Sequence, residues 1–91
     1  MFDAYQIRKD FPLLGCEVNG RQLVYLDSGA TAQKPECVIE CINRMLRENN
    51  ANIHRGVHHL SAVATEKYEA ARETIREFIG AESREEVIFT A

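Results

Sequence analysis

Val87-Ile88-Phe89-Thr90 stands one residue from the end of a 91-residue chain and is built from β-branched and aromatic side chains. A short, unbroken apolar run of this kind predicts a strand buried on both faces. Such a strand needs neighbours on either side, and almost nothing else in the chain reads as sheet. The set of elements therefore resembles the front of a larger α/β protein better than a finished domain, since chains this small bury only a modest share of their surface.

Working back from that run, Ser83-Arg84-Glu85-Glu86 predicts a capped turn, and Gly80 suits the left-handed residue that ends a helix. The helix before it is expected to start near Ser61, with Leu60, Ala64, Tyr68, Ala71, Ile75 and Phe78 along one face. A second helix is predicted from Pro35 to about Asn49. Its stripe of Val38, Cys41, Ile42, Met45 and Leu46 lies opposite Glu36, Glu40, Arg44 and Arg47. Nearer the start, Asn19-Gly20 predicts a type I′ hairpin, because both central residues of that turn need positive φ. Residues 23–26 then read as a strand, and Asp3-Ala4-Tyr5-Gln6 has the form of a capping box for a short helix ending by Phe11-Pro12. With no repeat, low-complexity tract or linker, residues 1–91 are read as one segment. It is mostly α-helical, with a short hairpin and a C-terminal strand.

Composition narrows the function. Hydrophobic residues make up 45% and charged residues 27%, which is ordinary for a globular protein. The formal charge is -3, so no basic field is present to attract nucleic acid or an anionic membrane. No stretch approaches the roughly 20 apolar residues that span a bilayer. Met1-Phe2-Asp3-Ala4 has neither the basic start nor the apolar centre of a signal peptide. Cys16, Cys37 and Cys41 are odd in number and form no C-x-x-C pair. These features predict a reducing, cytoplasmic setting. Cys37 and Cys41, four residues apart on a helix, are expected to point into a core as small hydrophobes.

Two segments carry candidate chemistry. Asn52-Ile53-His54-Arg55-Gly56-Val57-His58-His59 gathers all three histidines beside an arginine, in a loop between the two long helices. Histidine titrates near neutrality, and arginine is suited to gripping a carboxylate or phosphate. His54 and His58 are four apart, as in some zinc sites, but Gly56 interrupts a helix there and Arg55 opposes a cation. No Cys, Asp or Glu stands close by to complete a coordination shell, so no metal is expected. Histidines simply hydrogen-bonded within a loop are the plain alternative. The second segment, Asp27-Ser28-Gly29-Ala30-Thr31, consists of small and polar residues that let backbone approach a ligand. Taken alone it is also ordinary loop chemistry.

Together the segments resemble something specific. Tyr25-Leu26-Asp27-Ser28-Gly29-Ala30-Thr31-Ala32-Gln33-Lys34-Pro35, His54-Arg55-Gly56-Val57-His58-His59-Leu60-Ser61 and Thr65-Glu66-Lys67-Tyr68-Glu69 are similar to the opening of SufS-type cysteine desulfurases. These are pyridoxal-phosphate (PLP) enzymes of the class V aminotransferase family. Asp10-Phe11-Pro12 and Val18-Asn19-Gly20 match in order and spacing as well, so the resemblance covers essentially the whole chain.

The resemblance implies an N-terminal fragment of an α/β parent with the PLP-dependent fold type I, working as a homodimer. Its reaction takes L-cysteine to L-alanine and leaves a persulfide on the enzyme, whose sulfur passes to an acceptor protein for iron–sulfur cluster assembly. It places Gly29 and Ala30 at the edge of the substrate, near its carboxylate. His54 and Arg55 fall at the dimer interface, reaching toward the partner's active site, while His58 and His59 orient the loop. The Gly-Thr-Thr-like turn for the cofactor phosphate, the Schiff-base lysine and the persulfide cysteine are implied beyond Ala91. Lys9, Lys34 and Lys67 lack the desolvated or cation-flanked setting a Schiff-base lysine needs. No catalytic or cofactor-binding residue is therefore expected within these 91, and the chain alone is expected to be silent. A selenocysteine lyase or aminotransferase of the same family, and a stand-alone interaction module without chemistry, are the alternatives.

Overall fold

A computed structural model describes residues 1–54 and 56–91. In chain order it contains α1 (Ala4–Arg8), a 3₁₀ turn (Pro12–Gly15), β1 (Glu17–Val18), β2 (Arg21–Gln22), α2 (Glu36–Glu48), α3 (His59–Ile79) and a second 3₁₀ turn (Arg84–Glu86). The chain divides into two compact units, Met1–Arg44 and Met45–Ala91, and α2 contributes residues to both. The architecture is mostly helical with a two-stranded hairpin.

In the first unit the local signals act as expected. Asp3 caps α1, its carboxylate accepting from the backbone N–H of Tyr5 at 3.0 Å and of Gln6 at 3.3 Å. The cap is one-sided, because the Gln6 side chain accepts instead from Lys9 Nζ at 3.3 Å. Asn19 and Gly20 take φ of 54° and 74°, which sets the register Glu17↔Gln22 and Val18↔Arg21. Arg8 then locks the unit, with Nη2 donating to the carbonyls of Leu14 at 2.9 Å and Leu23 at 2.6 Å. The strand expected over residues 23–26 does not form. Leu23 N–H reaches Cys16 O at 3.0 Å, its carbonyl is taken by Arg8, and the ladder stops there. Apolar composition is not enough for a strand where no neighbour continues the pairing.

α2 begins one residue after Pro35, whose carbonyl accepts from Val38 N–H at 3.0 Å and Ile39 N–H at 3.2 Å. Pro35 is thus the residue flanking the helix and not its first turn. The apolar stripe exists but is uncovered: Val38, Ile42, Met45 and Leu46 are between 37% and 53% exposed. Cys37 and Cys41 are exposed too, against the expectation that they point into a core: helical periodicity marks an apolar stripe but not what covers it.

In the second unit α3 starts at His59, two residues before the expected position. Its N-cap is His58, whose Nδ1 accepts from Ser61 N–H at 3.3 Å. Histidine is outside the usual capping set of Ser, Thr, Asp and Asn, so this start carries no ordinary capping signal. The other end follows the rule. Gly80 is left-handed at φ 70°, and Ala81 N–H returns to Arg76 O at 3.1 Å in a Schellman arrangement. Ser83 and Glu86 form a reciprocal capping box on the 3₁₀ turn that follows. Val87, at 7% exposure, is the one buried hydrophobic residue among those described. Residues 87–90 form no strand in this chain, for the same want of a neighbour as residues 23–26.

Candidate functional site

The histidine loop is held by one face of α3. His54 has φ 59°, a left-handed backbone that costs a non-glycine residue about 1–2 kcal/mol. Three contacts keep it there. Its backbone N–H donates to Thr65 Oγ1 at 3.0 Å, and its ring stands edge-on to Tyr68, with centroids 5.7 Å apart at 87°. Nε2 lies 3.1 Å from Glu69 Oε1. The other carboxylate oxygen of Glu69 accepts from Arg72 Nε at 3.0 Å. Arg72 lies over the rings of Tyr68 (5.3 Å) and Phe89 (4.8 Å), and its Nη1 donates to Val87 O. Tyr68 and Phe89 meet edge-on at 4.9 Å.

Thr65, Tyr68, Glu69 and Arg72 are spaced i, i+3, i+4 and i+7, so they form one stripe on α3. Sequence reasoning missed this cluster. Tyr68 counts on the expected apolar face, and the signal was the set of polar residues, Thr65, Glu69 and Arg72, that flank it at helical spacing.

A second set of bonds closes the loop from within. Ser61 is 1% exposed, donates its hydroxyl to Asn52 O at 2.6 Å and accepts from Gly56 N–H at 3.1 Å. Gly56 has no room for a side chain: a Cβ there would lie 2.5 Å from both Cβ and Oγ of Ser61. Gly56 is needed for this close approach. His58 is engaged in capping α3, and His54 faces Glu69. Among the described residues no three of His, Cys, Asp and Glu gather closely enough for a metal ion. The expectation for Arg55 lies outside the described residues.

Gly29 and Ala30 sit together in the other unit, in a turn closed by Ala30 N–H and Thr31 N–H on Asp27 O at 3.0 and 3.1 Å. Tyr25 staples the same turn, its hydroxyl donating to Thr31 O at 2.6 Å. Gly29 is not in the left-handed region, and a Cβ on it would meet nothing within 4 Å. Neither backbone nor internal packing demands a glycine there. Tyr25 and Ser28, with Arg8 and Phe11, line an open depression of about 290 Å³.

The family model for aminotransferase class-V matches residues 24–91, and the chain belongs to that family. Its relatives include proteins named as cysteine desulfurases or probable cysteine desulfurases. It is 58% identical to a probable cysteine desulfurase of Halalkalibacterium halodurans, over 97% of this chain and 22% of that protein. A cysteine desulfurase of Synechococcus elongatus is 51% identical over 97% of this chain and 14% of its own length. Among solved structures, the apo cysteine desulfurase of Thermococcus onnurineus superposes with a TM-score of 0.78 at 40% identity, covering 99% of this chain and 21% of that one. The chain therefore spans about a fifth or less of the length of these relatives.

Such a family implies PLP in the parent protein. A Schiff-base lysine has to be shielded from water or flanked by cations. Lys9, Lys34 and Lys67 are exposed, with Lys34 Nζ donating to Ala32 O at 2.6 Å and Lys9 Nζ to Gln6. Cys16, Cys37 and Cys41 are free and exposed.

Proposed function

We propose that this chain is the N-terminal part of a PLP-dependent, SufS-type cysteine desulfurase that takes L-cysteine to L-alanine and an enzyme persulfide. The observation that carries the reading is identity of 58% to a probable cysteine desulfurase over 97% of the chain. In this reading the whole protein is a cytoplasmic homodimer of PLP fold type I. It hands sulfur to an acceptor protein for iron–sulfur cluster assembly.

The contribution of these residues is positioning. Gly29 and Ala30 offer backbone at the edge of the substrate, and a glycine that neither positive φ nor local packing requires is consistent with that role. His54 and Arg55 are assigned to the partner subunit's active site in this reading, and Ser61, Gly56 and His58 hold the loop that carries His54. PLP supplies the electron sink when bound. The rest of the protein holds it, and the 91 residues alone are silent.

The test is to read the gene beyond codon 91, express its full product and the 91-residue chain, and supply each with PLP and L-cysteine. The full product should form alanine and sulfide in step, and the short chain should show neither turnover nor the visible absorbance of bound cofactor. Gly29→Leu in the full product should raise KM for cysteine with little change in melting temperature. Preference for selenocysteine would move the reading to a lyase of the same family. An in-frame stop after Ala91 would favour an interaction module, and turnover by the short chain would refute its silence.

A further inference from the structure

We infer that Glu69, clamped by Arg72, is the positioning residue of His54: it fixes the direction of the imidazole and selects the tautomer with its proton on Nε2. This rests on the reading that His54 faces substrate, and it assigns Glu69 and Arg72 a part in presenting it.

The argument begins with what His54 lacks. A left-handed, half-exposed residue in a loop has no reason of its own to hold one rotamer, and the His54 side chain is 49% exposed. Thr65 fixes its backbone and Tyr68 offers the ring an edge, but neither distinguishes the two ring nitrogens. Glu69 does. With Nε2 at 3.1 Å from Oε1, a bare lone pair would face a carboxylate and be repelled, so the neutral ring carries its proton on Nε2. Nδ1 is then the acceptor nitrogen.

A carboxylate can select a tautomer only if it is itself held. Glu69 is, because Oε2 accepts from Arg72 Nε at 3.0 Å. Arg72 in turn is packed over the rings of Tyr68 and Phe89 and bonded to Val87 O, with 19% of its side chain exposed. Each carboxylate oxygen thus has its own partner, and the cation behind it cannot swing away. Orienting a histidine through a carboxylate that is anchored from behind is the arrangement by which other sites fix imidazole tautomers.

The experiment uses the whole protein carrying this chain, labelled with ¹⁵N-histidine, in wild-type, Glu69→Ala, Glu69→Gln, Arg72→Lys and His54→Ala forms. At a pH where the ring is neutral, wild type should show the His54 proton on Nε2. Glu69→Ala should give a mixture of tautomers, and Glu69→Gln, which keeps an acceptor oxygen, should fall between. Arg72→Lys should shift the pattern in the same direction as Glu69→Ala, by less. In turnover, Glu69→Ala should raise KM for cysteine about two- to five-fold with kcat nearly unchanged, the range a partly exposed ion pair supports. On a His54→Ala background it should add nothing further. Circular dichroism checks that each variant is folded, and Glu69 at 31% exposure leaves room for the substitutions. An unchanged nitrogen pattern in Glu69→Ala overturns the inference, as does a KM effect that multiplies with that of His54→Ala. If His54→Ala leaves the kinetics unchanged, or no cysteine is turned over, the functional reading fails instead, and the nitrogen pattern alone decides the tether.

Discussion

Ser61→Ala should loosen the histidine loop selectively, by an amount that follows from its contacts. The hydroxyl is 1% exposed and makes two bonds, one to Asn52 O at 2.6 Å and one from Gly56 N–H at 3.1 Å. Alanine keeps the Cβ and removes both bonds, leaving a carbonyl and an amide without their partner. A buried group orphaned in this way costs about 1–3 kcal/mol. Asn52 and Gly56 themselves are exposed, so water recovers part of the loss, and the pair together is expected to cost about 1–3 kcal/mol and not twice that. This corresponds to local opening that is about 5- to 150-fold more frequent. Hydrogen exchange reads it directly: the Gly56 amide should exchange faster in Ser61→Ala by a factor in that range. Amides at the far end of α3, such as Ala81 bonded to Arg76 O, should keep their rates. Gly56→Ala should have a comparable effect from the other side, since its Cβ would stand 2.5 Å from Ser61. Combined with Ser61→Gly, which removes both atoms it strikes, it should cost less than the sum of the two changes. A Gly56 rate that moves less than two-fold in Ser61→Ala, or equal acceleration along all of α3, refutes the reasoning.

Gly20→Ala meets open space but must adopt φ 74°, so its cost is purely backbone, about 1–2 kcal/mol, and should appear as lost hairpin cross-peaks between Val18 and Arg21. The Ser83 hydroxyl, and then the Glu85 backbone N–H, hold the Glu85 carboxyl below the ordinary glutamate value. A lowered folded pKa stabilises the turn above the ordinary value and loses that effect as pH falls through the depressed one. A carbon-detected titration should therefore find Glu85 ionised where a free glutamate is already protonated, and Ser83→Ala should raise its midpoint. The isolated 91-residue chain should melt broadly or self-associate, because Val87 is the one buried hydrophobic side chain among the described residues. A sharp, monomeric, cooperative melt by calorimetry and ultracentrifugation would count against this.

What the sequence disclosed is what short-range chemistry decides. Asn19-Gly20, Gly80 and the Ser83–Glu86 box each fix a turn or helix end within four residues, and each is present where expected. The two predicted strands depended on partners elsewhere, and neither residues 23–26 nor residues 87–90 find one. Cys37 and Cys41 were misplaced for a related reason: periodicity names an apolar stripe without saying what covers it. At the candidate site, histidine, glycine and small-residue content marked both segments. The geometry that gives His54 its setting lies eleven to eighteen positions away, on Thr65, Tyr68, Glu69 and Arg72, and only the fold brings it near.

The uncovered stripe of α2 has a consequence for biosynthesis. The match of 88 residues is 22% of the Halalkalibacterium halodurans relative, which puts a protein of that kind at about 400 residues. Where some 300 residues follow these, translation at about 5–20 residues per second takes roughly 15–60 s to complete them. At the start of that interval Val38, Ile42, Met45 and Leu46 are left as exposed as they are among the described residues. An apolar helix face exposed at that stage is the kind of surface that draws chaperones or aggregation in an incomplete chain.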